Sequence, residues 1–119
     1  MTKYVSPPIH VPTHTSFSRA GIQFDGVEQA GAAYEGRVFL NNAEADAETP
    51  RTTEHGYAGS FHVYGLGVTL PEKASISKSV IATEAVRAAV RKSGIVTVTV
   101  VPVPDREPMT FDDVRIVLE

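Results

Sequence analysis

From Ile95 to Val103 every residue except Pro102 is β-branched. Branching at Cβ costs rotamer freedom in a helix and packs well on a pleated surface, so this run requires a strand. Alternation with period two sets Val96, Val98 and Val100 on one face and Thr97 and Thr99 on the other. Only one segment argues for a helix. Thr83 can cap it, Glu84 lies in the first turn, and Arg87, Arg91 and Lys92 lie towards the end, which matches the helix dipole at both ends. Gly94 offers a stop, and Ala85, Val86, Ala88, Ala89 and Val90 form a stripe too short to stand alone. The pattern predicts a helix over about residues 84–92 that plugs one end of a sheet structure.

The remaining apolar runs are short and bounded by turn residues. Gly21 to Val27 reads as a strand that closes at the Asp25-Gly26 turn pair, and Tyr34 to Leu40 as a strand that stops at Asn41-Asn42. Ala43 to His55 is polar, contains Pro50 and lacks a period, which predicts an exposed loop of about thirteen residues. Ser77 to Ala82 and Met109 to Leu118 read as further strands, the latter with Val114, Ile116 and Leu118 inward and Asp113 and Arg115 outward. About six or seven strands with one short helix predict a mainly β domain, a Greek-key or immunoglobulin-like sandwich.

A chain of 119 residues accommodates one such core, expected over residues 20–119. Residues 1–19 carry Pro7, Pro8 and Pro12 and read as a non-helical arm whose Tyr4, Val5, Ile9, Val11 and Phe17 can dock. The net charge of −3, with cations scattered, argues against a nucleic-acid partner. No apolar run approaches the roughly 20 residues of a membrane span, and Met1 to Pro8 lacks the apolar core of a signal peptide; the expectation is a cytoplasmic chain with no membrane partner. With no cysteine there are no disulfides and no thiolate chemistry.

Tyr57-Ala58-Gly59-Ser60-Phe61-His62-Val63-Tyr64-Gly65 reads as an inner strand, with Phe61, Val63 and Gly65 on one filled face and His62, Tyr64 and Leu66 on the other. The order of Val38-Phe39-Leu40-Asn41-Asn42, Ala58-Gly59-Ser60-Phe61, Val80 to Gly94, Val96 to Pro102 and Val114-Arg115-Ile116 resembles the C-terminal β-domain of polyphenol oxidases and bacterial tyrosinase-like proteins. The likeness runs from about Gly21 to Glu119. In that family the domain lies beside a helical type-3 copper oxidase domain and covers the mouth of its active site. The resemblance therefore implies a non-catalytic accessory domain that shields or helps mature a tyrosinase-like copper oxidase, with any copper in that partner. The chain departs from the family in lacking the oxidase domain. It is a separately encoded partner, a relative that lost the connection, or a fragment.

The residues themselves carry little chemistry. A dicopper site needs about six imidazoles, mostly on helices, and this chain has four histidines, none of them in the expected helix. His10 and His14 are separated by Pro12, which disfavours a helical metal pair; with His62 they are the metal candidates, each more simply read as a surface or interface side chain. Glu44, Asp46 and Glu48 alternate along the loop without the glycine turn of a calcium loop, and Asp112-Asp113 reads as a polar turn. Gly59-Ser60-Phe61 is not a hydrolase elbow and Gly65-Leu66-Gly67 is not a dinucleotide loop. The expected roles are no catalytic residue, no cofactor in this chain, and partner contacts from His62, Tyr64 and Leu66 or from the Ala43 to His55 loop. The alternative is a self-associating module, a homo-oligomer in which the arm adds as a strand to a neighbouring sheet edge.

Overall fold

A computed structural model describes residues 3–12, 16–28, 33–63, 75–104 and 111–119. Among these residues the chain forms β1 (Tyr4–Val5), β2 (Ile9–His10), β3 (Ala20–Glu28), β4 (Tyr34–Leu40), β5 (Tyr57–Val63), β6 (Ser75–Ile81), α1 (Thr83–Lys92), β7 (Ile95–Val96), β8 (Val98–Val103) and β9 (Asp113–Leu118). A 3-10 turn at Thr53–His55 precedes β5. All strand pairs are antiparallel, in a four-stranded sheet of order β1-β8-β4-β5, a three-stranded sheet of order β6-β3-β9, and the short pair β2-β7. The mainly β, sandwich-like class and the single helix are those the sequence predicts. The strand number is higher because the arm supplies two short strands and the β-branched run divides between two sheets.

That division has a simple cause. Val96 faces the core from β7 and Val98 from β8, while Thr97 between them pairs with Asn41 instead of a strand: Asn41 donates its amide to the Thr97 carbonyl at 2.9 Å, and Asn41 Oδ1 accepts the Thr97 amide at 2.9 Å. Asn41 takes a left-handed φ of 54°, a conformation that asparagine tolerates well. Thr99 and Val101, on the opposite face of β8, are fully buried, and Ala45 of the 43–52 loop packs on Val101.

The main core lies between the two larger sheets. β3 contributes Ile22, Phe24 and Val27, β4 contributes Val38 and Leu40, β5 contributes Phe61 and Val63, and β8 contributes Val98 and Val100. The Phe24 and Phe61 rings meet across the sandwich with centroids 4.9 Å apart, and Phe111 lies 5.3 Å from Phe24. Gly36 makes this arrangement possible, because a Cβ there would lie 2.5 Å from the Phe61 ring. α1 closes one end of the core with Val86 and Ala89, and Arg87 ties its outer face to the chain below by donating to the Phe17 carbonyl at 3.1 Å.

Several expectations are corrected. Asp25-Gly26 does not end β3; the register shifts between Phe24 and Val27, so the pair forms a bulge that returns Val27 to the core face. β5 is an edge strand of its sheet, not an inner one, and His62 lies exposed on a face that is not covered there. Its open side runs against β6, where a Cβ on Gly59, held at φ 135°, would lie 2.7 Å from Val80 Cγ1. Thr83 is the first helical residue, not the cap; its Oγ1 accepts the Ala20 amide at 3.1 Å and so joins the helix start to β3. The helix stops at Ser93, which turns extended before Gly94 is reached.

The arm is seated on its own chain. Tyr4 and Val5 pair with Val100 and Thr99, and Ile9 and His10 with Val96 and Ile95. Ser6 is the joint between them: its amide donates to the Val98 carbonyl at 2.8 Å and its Oγ accepts the Val98 amide at 2.9 Å in a buried setting. Replacing Ser6 with Ala leaves the Val98 amide without a partner, an expected loss of about 1–3 kcal/mol. Gly59→Ala meets both the positive φ and the Val80 methyl, and is expected to cost about 2 kcal/mol or more. Urea unfolding of the two variants measures both values.

Candidate functional site

On the outer face of β4 and β5, four polar side chains come together. Strand register sets Glu35 opposite His62 and Arg37 opposite Ser60, and period two keeps all four on one surface. Arg37 Nε donates to Glu35 Oε1 at 2.7 Å, and His62 Nε2 lies 3.6 Å from Glu35 Oε2. Arg37 also donates from Nη1 to the Ala47 carbonyl at 3.2 Å, so the face is tied to the neighbouring loop. The His62 side chain is 60% exposed, whereas Glu35 is 20% exposed, which leaves the imidazole as the presented group and the carboxylate as its support. The hydrogen bond from Arg37 is the main cause that holds the Glu35 carboxyl below its ordinary range, with Coulombic help from Arg37 and His62 and a hydrogen bond from Ser60.

The adjoining loop is braced, not loose. Ala45 packs with Phe39, Val101 and Tyr57 in a small second core, and the Tyr57 ring stands edge-on to Phe39 at 5.5 Å. Lys3 Nζ donates to the Ala45 carbonyl at 3.1 Å. Asp46 Oδ1 accepts the Glu48 amide at 2.8 Å and the Thr49 hydroxyl at 3.2 Å, so this carboxylate closes the loop on itself. Asn42 Nδ2 donates to the His55 carbonyl at 2.8 Å, and His55 Nδ1 meets Thr52 Oγ1 at 2.9 Å. This hydroxyl and imidazole resemble a nucleophile beside a base, yet both are exposed and no carboxylate among the described residues orients the ring.

His10 is exposed on β2 and His62 on β5, and His14, Tyr64 and Leu66 lie outside the described residues. No group of three or more potential metal-ligating side chains occurs among the described residues. Four histidines in the whole sequence, three of them described and placed on separate elements, do not fit a dicopper centre. Glu35 is the member of this face that the sequence reading passed over; its signal was the alternation of Glu35 and Arg37 along β4. What could not be read was the register that sets His62 beside it. No helix among the described residues is long and apolar enough to cross a membrane.

The architecture is a mainly β, sandwich-like fold with one helix among the described residues. Among solved structures, the chain is similar to latent aurone synthase (polyphenol oxidase) from natural source, with a TM-score of 0.71 and 16% identity over 98% of this chain and 24% of that one. Recombinantly expressed latent aurone synthase (polyphenol oxidase) matches with a TM-score of 0.67 and 17% identity over 99% of this chain and 24% of that one. The likeness is one of fold. The chain spans about a quarter of the length of these proteins, a share consistent with the C-terminal domain that the sequence resembles. No family model and no curated protein matches it.

In an acid titration followed by carboxyl NMR, the Glu35 midpoint is expected below its ordinary 4.5. Arg37→Met should raise it more than His62→Ala does, since the Arg37 contacts lead. A depressed midpoint means that the Glu35 contribution to stability is complete at neutral pH and is lost as pH falls below about 4.5 through the folded midpoint. His62→Ala itself is expected to change stability by less than about 0.5 kcal/mol, as befits an exposed side chain.

Proposed function

We propose that this chain is a non-catalytic accessory domain that binds a tyrosinase-like type-3 copper oxidase and shields its entrance or assists its maturation. The observation that carries the reading is the fold likeness, at a TM-score of 0.71 over 98% of the chain, to one quarter-length portion of a polyphenol oxidase. The sequence resemblance from Gly21 to Glu119 points the same way. The described residues supply neither a nucleophile with an oriented base nor a cluster of metal ligands, so the reading assigns the copper and the oxidation chemistry to the partner.

The contact surface in this reading is the outer face of β4 and β5. His62 projects from it, Glu35 Oε2 lies 3.6 Å from the imidazole Nε2, and the Arg37 guanidinium stands beside them on Glu35. Charged groups held by neighbours lose less side-chain entropy on docking than free ones, which suits a specific and reversible contact. Tyr64 and Leu66, two and four residues along from His62, extend the proposed surface by sequence alone.

Co-expression with a tyrosinase-like oxidase from the source cell, followed by size-exclusion chromatography and a copper assay, tests the proposal. Co-elution is expected, together with slower diphenol oxidation by the complex or fuller copper loading of the oxidase. His62→Glu is expected to weaken the complex by about tenfold by placing a second carboxylate beside Glu35. Separate elution at micromolar concentrations, with oxidase activity and copper content unchanged, would sink the reading.

A further inference from the structure

A second concave surface lies away from the β4–β5 polar face, between the arm and the start of β9. This cleft of about 410 Å³ is lined by Tyr4, Pro7 and Ile9 on one side and by Phe111, Asp112, Asp113 and Val114 on the other. Its volume falls within the roughly 300–1,000 Å³ typical of ligand pockets. We infer that it receives the guanidinium of an arginine presented by a partner protein.

The composition of the walls selects that group. The Tyr4 and Phe111 rings meet edge to face, with centroids 4.8 Å apart and planes at 81°, which gives the cleft an aromatic corner. An aromatic face attracts a cation, and a planar guanidinium stacks on it where a compact ammonium does not. Two carboxylates stand at the rim. Asp113 is shared with Arg115, whose Nε lies 3.4 Å from Asp113 Oδ2 while its Nη2 holds Asp25 Oδ2 at 3.0 Å. Asp112 has no ion pair among the described residues. Its exposed carboxyl lies over Gly26, where φ is 72° and an added Cβ would reach Asp112 Cγ.

The cleft is therefore an acidic, aromatic-walled pocket with one carboxylate that pairs with no cation among the described residues. Burial, and then the negative charge of Asp113, raises the pKa of the Tyr4 phenol, which agrees with a potential that favours cations at this end of the molecule. Pro7 contributes a wall that needs no hydrogen-bond partner for an amide, so nothing polar on that side is lost when an apolar stem covers it. An arginine side chain satisfies both halves, with its methylene stem along Pro7, Ile9 and Val114 and its fork on Asp112. This inference does not depend on the accessory reading, since the pocket lies on a different surface and its ligand is tested by itself.

The test uses the full chain and three short peptides, acetyl-Gly-Arg-Gly-amide and its lysine and citrulline counterparts, with binding followed by backbone amide shifts. Citrulline keeps the planar shape of arginine and removes the charge. Expected are shifts concentrated at Tyr4 to Ile9 and Phe111 to Val114, an arginine affinity about tenfold above that of citrulline, and lysine in between. Asp112→Asn preserves the packing over Gly26 and should weaken arginine severalfold while leaving citrulline unchanged. Equal binding of arginine and citrulline, or shifts scattered over the surface without a focus on these residues, would overturn the assignment, and neither result requires a variant to fold.

Discussion

The contact of Phe24 with Phe61 joins the two sheets, and most of the structure is arranged to allow it. Phe24 stands on the central strand of one sheet and Phe61 on the edge strand of the other, with ring centroids 4.9 Å apart. Each ring removes a large apolar surface from water, and the tilted pair adds about 0.5–1.5 kcal/mol beyond burial. Phe111 and Tyr34 extend the cluster to the approach to β9 and to β4, and Tyr4 brings in the arm through Phe111. The space for Phe61 exists only because its cross-strand neighbour is Gly36. Close-packed interiors tolerate few such substitutions, which makes this glycine as much a part of the core as the rings around it.

The same geometry separates the surfaces by character. At the seam between the sheets, Gly59 lets β5 lie against Val80 of β6, so an edge that would otherwise be open is shielded by the chain itself. The outer face of β4 and β5 is then divided in two. Its lower part is sealed by the loop around Ala45, which packs on Phe39 and on Val101 of the neighbouring β8, and its upper part is left to Glu35, Arg37 and His62. Burying Thr99 leaves its hydroxyl without a hydrogen-bond partner among the described residues. The loop, the arm and the polar face form a connected set, since Lys3 bonds to the Ala45 carbonyl and Arg37 to the Ala47 carbonyl. At the far end, the arm and the start of β9 form a cleft of a different kind, aromatic within and acidic at the rim.

Local chemistry was sufficient to mark the elements. The bounds of β4 follow from the alternation between Tyr34 and Leu40 and the Asn41-Asn42 stop, and α1 follows from its alanine and valine stripe with Glu84 at the start and Arg91 and Lys92 at the end. Inward and outward sides were also legible on β9, where Val114, Ile116 and Leu118 are more buried than Asp113, Arg115 and Val117. The errors fell where a residue is governed by something distant in sequence. Asp25-Gly26 has the composition of a turn, but the pairing of β3 with β6 and β9 on both sides carries the strand through it as a bulge. Val101 lies on the face of β8 away from the main core, but Ala45, from a loop far earlier in the chain, packs on it. Thr83 has the chemistry of a cap, but its hydroxyl bonds to Ala20 instead.

The sequence by itself determined the class of fold, the single helix, the absence of thiol chemistry and the shortage of imidazoles for a dicopper site, because each depends on residue types or on short-range periodicity. Only the tertiary structure decided that β5 is an edge strand, that Glu35 lies beneath His62, and that Tyr4, Phe111 and Asp112 enclose one cleft. Those relations come from strand order and register between segments tens of residues apart. Register is chosen by the packing of the whole core, and no local pattern encodes it.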